Sequence, residues 1–122
     1  LTTNRLKRNP KISERIKQLY NYRCQVCDVL LETPSGPIAI GAHIKPLGRP
    51  HSGPDVKENL LCLCPNHHDQ FDALAFSIKP NIRKIVGLND FEGKLLNVDK
   101  RHMLGEEFLR HHWERWAGEQ NV

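Results

Sequence analysis

Acidic residues are almost missing from the first 23 positions, where Glu14 stands alone against Arg5, Lys7, Arg8, Lys11, Arg15, Lys17 and Arg23. The rest of the chain carries eleven basic residues against thirteen acidic ones, so the formal net charge of +4 is gathered at one end. A basic face of this kind suits a polyanion, and it equally suits a solvated helix surface without a partner. Apolar residues are in short supply, at 39% of 122, which predicts that something besides apolar burial holds the fold together. No apolar run approaches the length of a membrane span. No signal-peptide pattern opens the chain, and neither internal repeats nor low-complexity tracts occur. These absences leave a single domain over residues 1–122, with a modest core. The chain opens on Leu rather than Met, so a piece of a longer protein is expected.

What is present is concentrated chemistry. The four cysteines stand as Cys24-x-x-Cys27 and Cys62-x-Cys64, beside histidines. That spacing fits a metal site better than a disulfide framework, and it places the protein in a reducing, cytoplasmic setting. The apolar pattern of Ile12, Ile16, Leu19 and Tyr20 predicts a helix over about 11–21, preceded by a basic arm over 1–9. CQVC reads as a tight turn and ETPSGPI as a loop. IAIGAHI reads as a short strand that delivers His43 at its far end. KPLGRPHSGPD is a long loop. NLLCLC is a strand or an irregular buried segment, and Pro65 opens a helix over about 65–74. AFSI, RKIV and KLLNV read as short strands. A final amphipathic helix ends near Gly118, with Leu104, Phe108, Leu109, Trp113 and Trp116 on its stripe. The expected organisation is an N-terminal arm and helix over 1–23, a metal-binding core over 24–74, and strands with a terminal helix over 75–122.

Zinc sites that shape folds are tetrahedral and use thiolate and imidazole ligands. Cys24 and Cys27 form one knuckle. Cys64 and His67 repeat the spacing and form the other. About 36 residues lie between the knuckles, more than a loop that only spans ligands requires, so something functional is expected there. Cys62 competes with Cys64 as a ligand, because the two share a side if the segment is extended. It loses the knuckle spacing, and a small core residue is the favoured reading.

Three residues remain: His43, Asn59 and His68. A histidine at a strand end can accept a proton from water. His68 sits on the helix after Cys64, with Asp72 four residues on and on the same face. Together His68 and Asp72 could share an exchangeable Mg²⁺, Mn²⁺ or later divalent ion such as Co²⁺ or Ni²⁺. Such an ion would polarise a phosphodiester. Asn59 would hold the backbone near His43 through its amide. Adjacent His67 and His68 point about 100° apart on a helix and so face two sites.

In this order, the stretches YRCQVC, AHIKPLGRPHSGPD, ENLLCLCPNHHDQFD and AFSI resemble the HNH endonucleases of the ββα-metal type. The resemblance covers roughly residues 20–78, and HMLGEEFLRHH is similar to the same subgroup. It implies an α+β fold: a zinc-stabilised ββα-metal nuclease core with flanking N- and C-terminal helices and short extra strands. It implies His43 as general base, Asn59 as orienting residue and His68 as metal ligand, within a zinc frame of Cys24, Cys27, Cys64 and His67. Similar modules serve as nuclease halves of restriction enzymes that cut modified DNA, often behind a recognition domain such as an SRA fold. One position departs from the pattern. Many members carry a ligand just before the base, where this chain has Ala42.

The leading expectation is therefore a metal-dependent DNA endonuclease that uses structural Zn²⁺ and a catalytic divalent cation on double-stranded, modified DNA. Lys45 and Arg49 are candidates to clamp the DNA backbone, with solubility as the competing role. Two-strand cleavage would call for a homodimer, though no residue fixes one. Alternatives are a non-catalytic zinc module that binds DNA or protein, and a nuclease toxin domain. His51 reads as a solvated loop histidine, and His102, His111 and His112 as packing or surface residues. Trp113 and Trp116 read as core or interface anchors.

Overall fold

A computed structural model describes residues 9–120. The predicted basic arm, with Arg5, Lys7 and Arg8, lies outside the described residues apart from its last residue, Asn9. Asn9 caps the first helix, α1 (Pro10–Leu19), by accepting from the Lys11 amide at 3.0 Å, and Pro10 occupies the first turn. Both are choices that start a helix without stranding a backbone donor.

Two strands and one helix form the centre. Strand β3 (Ile40–His43) pairs antiparallel with β4 (Leu60–Leu63), with His43 opposite Leu60. Helix α2 (Pro65–Asp72) follows at once. All four residues of β4 are buried, because the hairpin is covered on both faces. Leu61 and Leu63 join Ala42, Ile44, Phe71 and Phe76 in the main core. Leu60 and Cys62 face the other way and pack with Ile16 and Tyr20 of the α1 segment. A strand wrapped on both sides reads as a continuous apolar run, which accounts for the weak alternation of NLLCLC. Gly41 allows the close approach of α1: a Cβ there would stand 2.1 Å from Ser13 Oγ.

The remaining strands are short. ETPSGPI, expected as a loop, is a hairpin of β1 (Leu31–Thr33) and β2 (Gly36–Ile38). Its turn is closed by Thr33, whose hydroxyl donates to the Gly36 carbonyl at 2.7 Å, with Gly36 at φ +121°. Pro37 lies within β2, an edge strand, where its missing N–H costs no ladder bond. Strands β5 (Ser77–Ile78) and β6 (Ile85–Val86) pair, whereas KLLNV forms no strand and contributes a single bridge from Leu95 to Lys84.

Helix α3 (Glu106–Gln120) packs on the core through Phe108, Leu109 and His112. The tryptophans differ from expectation. Trp113 and Trp116 are half-buried and pack on each other, ring centroids 5.0 Å apart, beside the buried face rather than in it. The architecture is α+β, with three antiparallel strand pairs and three helices among the described residues. None of these helices is long and apolar enough to cross a membrane.

Candidate active site and metal cage

The β3–β4–α2 unit positions two separate clusters. In the first, the donor atoms of Cys24, Cys27, Cys64 and His67 all lie within 4.8 Å of one another. Cys24 Sγ is 3.6 Å and Cys64 Sγ 3.4 Å from His67 Nδ1, and Cys27 Sγ is 3.9 Å from Cys64 Sγ. A tetrahedral zinc with its usual bond lengths requires sulfur–sulfur separations of about 3.8 Å and sulfur–nitrogen separations of about 3.5 Å. The four groups therefore fit the ion, with Nδ1 as the imidazole donor. Burial pushes the Cys24 thiol up to about 12 and the Cys27 thiol up as well. Without a cation these thiols keep their protons at neutral pH, and binding one would release them. Burial also holds His67 toward its neutral, ligating form. Cys62 is not part of the cage. It is fully buried in the smaller core beside α1.

The second cluster lines a cleft of about 380 Å³ that His43, His68, Asp72 and Arg115 share. His43 sits at the end of β3, and its Nε2 hydrogen-bonds Asp55 Oδ1 at 2.8 Å. Asp55 also accepts the Asn9 amide at 2.6 Å. Because a carboxylate only accepts, the neutral His43 ring carries its proton on Nε2, and Nδ1 keeps a lone pair. The sequence reading missed Asp55. It is twelve residues from His43 across an irregular loop, where no periodicity marks a partner.

Asn59 is fully buried in a short 3₁₀ turn over Lys57–Asn59. Its Oδ1 accepts the Lys45 amide at 2.8 Å, and its Nδ2 donates to the Lys45 and Pro54 carbonyls, both at 2.9 Å. The side chain thus staples both ends of the 45–54 loop without touching the His43 ring. Gly53 makes room for that staple: a Cβ there would stand 2.2 Å from the Lys45 carbonyl oxygen. The turn is buttressed from the far end of the chain. Buried His102 donates from Nε2 to the Lys57 carbonyl at 2.8 Å and accepts at Nδ1 from the Tyr20 hydroxyl at 2.6 Å.

On α2, His68 Nε2 lies 3.1 Å from Asp72 Oδ2. Two ligands about 2.1 Å from an octahedral cation in neighbouring positions stand about 3.0 Å apart, so this pair fits one divalent ion. His68 Nδ1 is buried without a hydrogen bond; Asp69 Oδ1, at 3.4 Å, is its nearby charge. Ala42 is buried in the main core, so position 42 adds no ligand to the cleft. Lys45 is half-buried and Arg49 exposed, and neither lines the cleft.

Three further histidines have structural partners. His51 is not free in solvent: its Nδ1 lies 2.9 Å from His111 Nε2, which ties the loop to α3. His112 accepts at Nδ1 from the Ser77 hydroxyl at 2.7 Å and donates from Nε2 to the Phe71 carbonyl at 2.9 Å. It stacks on the Phe71 ring at 3.7 Å, and burial holds its pKa down to about 4.

Residues 24–79 match the family model described as HNH endonuclease. Among solved structures, the chain is similar to one described as "Modification dependent TagI restriction endonuclease", with a TM-score of 0.82 and 41% sequence identity. That match covers 88% of this chain and 38% of the other, so the chain spans well under half the length of its relative. No curated protein matches the chain significantly.

Proposed function

We propose that the chain, whose residues 24–79 match the HNH endonuclease family model, is the DNA-cleaving part of a larger, modification-dependent restriction enzyme. The observation that carries the reading is the cleft, which His43 enters beside the His68–Asp72 pair while Asp55 occupies the far nitrogen of the base. His43 Nδ1 takes a proton from a water molecule, and the water oxygen attacks phosphorus. The resulting imidazolium is stabilised through its Nε2–H bond to Asp55. The bond from phosphorus to the 3′ oxygen breaks, leaving a 5′ phosphate. Asn59 holds the 45–54 loop so that Asp55 meets the imidazole. His68 and Asp72 would hold a Mg²⁺, Mn²⁺, Co²⁺ or Ni²⁺ ion, which supplies positive charge for the departing oxygen. With Ala42 in the usual ligand position, His68 and Asp72 would be the protein's ligands to that ion, and water and substrate phosphate would supply the rest.

Cys24, Cys27, Cys64 and His67 would hold a structural zinc. A cage of free thiols suits a reducing, intracellular compartment. Lys45 and Arg49 lie outside the cleft, where they would contact flanking phosphates of duplex DNA. Recognition of the modified base is assigned to a further domain of the full-length protein, and cleavage of both strands to a homodimer, since one such site cuts one strand.

The test is nicking of supercoiled DNA with Mg²⁺, Mn²⁺, Co²⁺ or Ni²⁺, against EDTA. His43→Ala should abolish cleavage and retain full zinc content. Cleavage by His43→Ala at the wild-type rate removes His43 from the mechanism. A wild-type chain that binds DNA but fails to cut it under every one of these cations is instead a non-catalytic zinc module.

A further inference from the structure

Helix α3 walls the cleft from outside the stretch that matches the HNH family. Two of its residues are fixed by bonds to the machinery. His112 is held by Ser77 and by the carbonyl of Phe71, the residue before Asp72. His111 is held by His51 of the 45–55 loop. Arg115 lies three and four residues beyond them, on the same side of the helix, and it lines the cleft with His43, His68 and Asp72.

The state of this guanidinium is informative. Arg115 is half-buried, and among the described residues no ion pair with a carboxylate is formed by it. Asp72, the acid that shares the cleft, is turned to His68. A charged group that is partly desolvated and lacks a counter-charge is costly to keep. An incoming anion removes the cost. Guanidinium presents a planar fork that matches two oxygens of a phosphate, and it remains charged at any working pH.

We propose that Arg115 grips the non-bridging oxygens of the phosphodiester being cut, placing phosphorus between the His43 imidazole and the His68–Asp72 pair. The inference rests on the nuclease reading above and adds to it a substrate-contacting residue from α3. The fixed helix then acts as one jaw of the site and the β3–β4–α2 unit as the other.

The experiment compares Arg115→Ala, Arg115→Gln and Arg115→Lys with wild type and His43→Ala in the nicking assay. Zinc content and thermal midpoint are followed in each. Binding to a short fluorescent duplex in Ca²⁺ is measured over a range of salt. Removing one preorganised donor to a transition-state oxyanion should slow cleavage about 100-fold in the Ala and Gln variants, with zinc and midpoint retained. The Lys variant should recover part of the rate, because it keeps charge and loses the fork. Loss of one phosphate contact should reduce the slope of log affinity against log salt by about one in the Ala and Gln variants. Ala and Gln variants that cut within about twofold of wild type overturn the assignment of Arg115 and leave the nuclease reading standing. If wild type fails to cut under every cation tested, the nuclease reading falls, and an unchanged salt slope then overturns the phosphate contact as well.

Discussion

Asp55 reaches His43 through a loop whose two ends Asn59 holds at Lys45 and Pro54. The imidazole is therefore oriented by a chain of two contacts, one made by an amide to backbone and one made by a carboxylate to the ring. Asp55→Asn is nearly isosteric but can donate as well as accept, so it admits the tautomer that carries the proton on Nδ1 and cannot act as base. Cleavage by Asp55→Asn should fall about tenfold or more with zinc content intact. A wild-type rate in the nicking assay would remove Asp55 from the site. The place of His43 at a strand end was legible in the sequence, because an apolar run before a Pro/Gly-rich loop reads as a strand. Asp55 was not, since a contact across an irregular loop has no period. Arg115 was hidden for a related reason: nothing in α3 alone shows that its far turns meet a cleft built from residues 40–72.

At the scale of elements, β5, α2 and α3 are locked by one imidazole. His112 bonds β5 through Ser77 and α2 through the Phe71 carbonyl, and burial holds it neutral with a pKa of about 4. Its folded pKa lies below the ordinary value, so the unfolded chain binds the proton more readily. Its contribution is complete above the ordinary histidine pKa and is lost as pH falls from there toward 4. Between pH 7 and pH 5 the stability drawn from this one group should decrease by about 2 kcal/mol. Urea midpoints at the two pH values measure it, and His112→Gln, which can still donate and accept, should flatten the dependence by that amount. An equally steep dependence in the variant would locate the titration elsewhere. Helices were the more legible elements, because the apolar spacing of Ile12, Ile16 and Leu19 marks α1 and Pro65 marks the start of α2. The β1–β2 hairpin was hidden by Pro37, which reads as a breaker unless the strand is known to be an edge. The core reading of the tryptophans failed because size suggests a core anchor, whereas the face of α3 that meets the core presents Phe108, Leu109 and His112.

For the molecule as a whole, the four-donor cage joins the turn at Cys24–Cys27 to the start of α2, with the β3–β4 hairpin between them. A core this small leans on such a cross-link. Two cations of different kinds should therefore be separable. Brief EDTA at room temperature should stop cleavage and leave the far-ultraviolet circular dichroism spectrum unchanged, with activity restored by added Mn²⁺. Stripping zinc with a stronger chelator under mild heating should abolish the cooperative thermal transition, and Mn²⁺ should not restore it. If both treatments act alike, one class of cation serves both roles.

His67 and His68 are consecutive, and each belongs to a different cluster. An ion in the cage would hold His67 and so, together with the buried Phe71 and its bond to His112, the angular phase of α2 that aims His68 and Asp72 at the cleft. An ion with longer bonds to sulfur would act like a worn gear tooth. It would rotate the helix by a few degrees and mis-set the cleft without touching any residue that lines it.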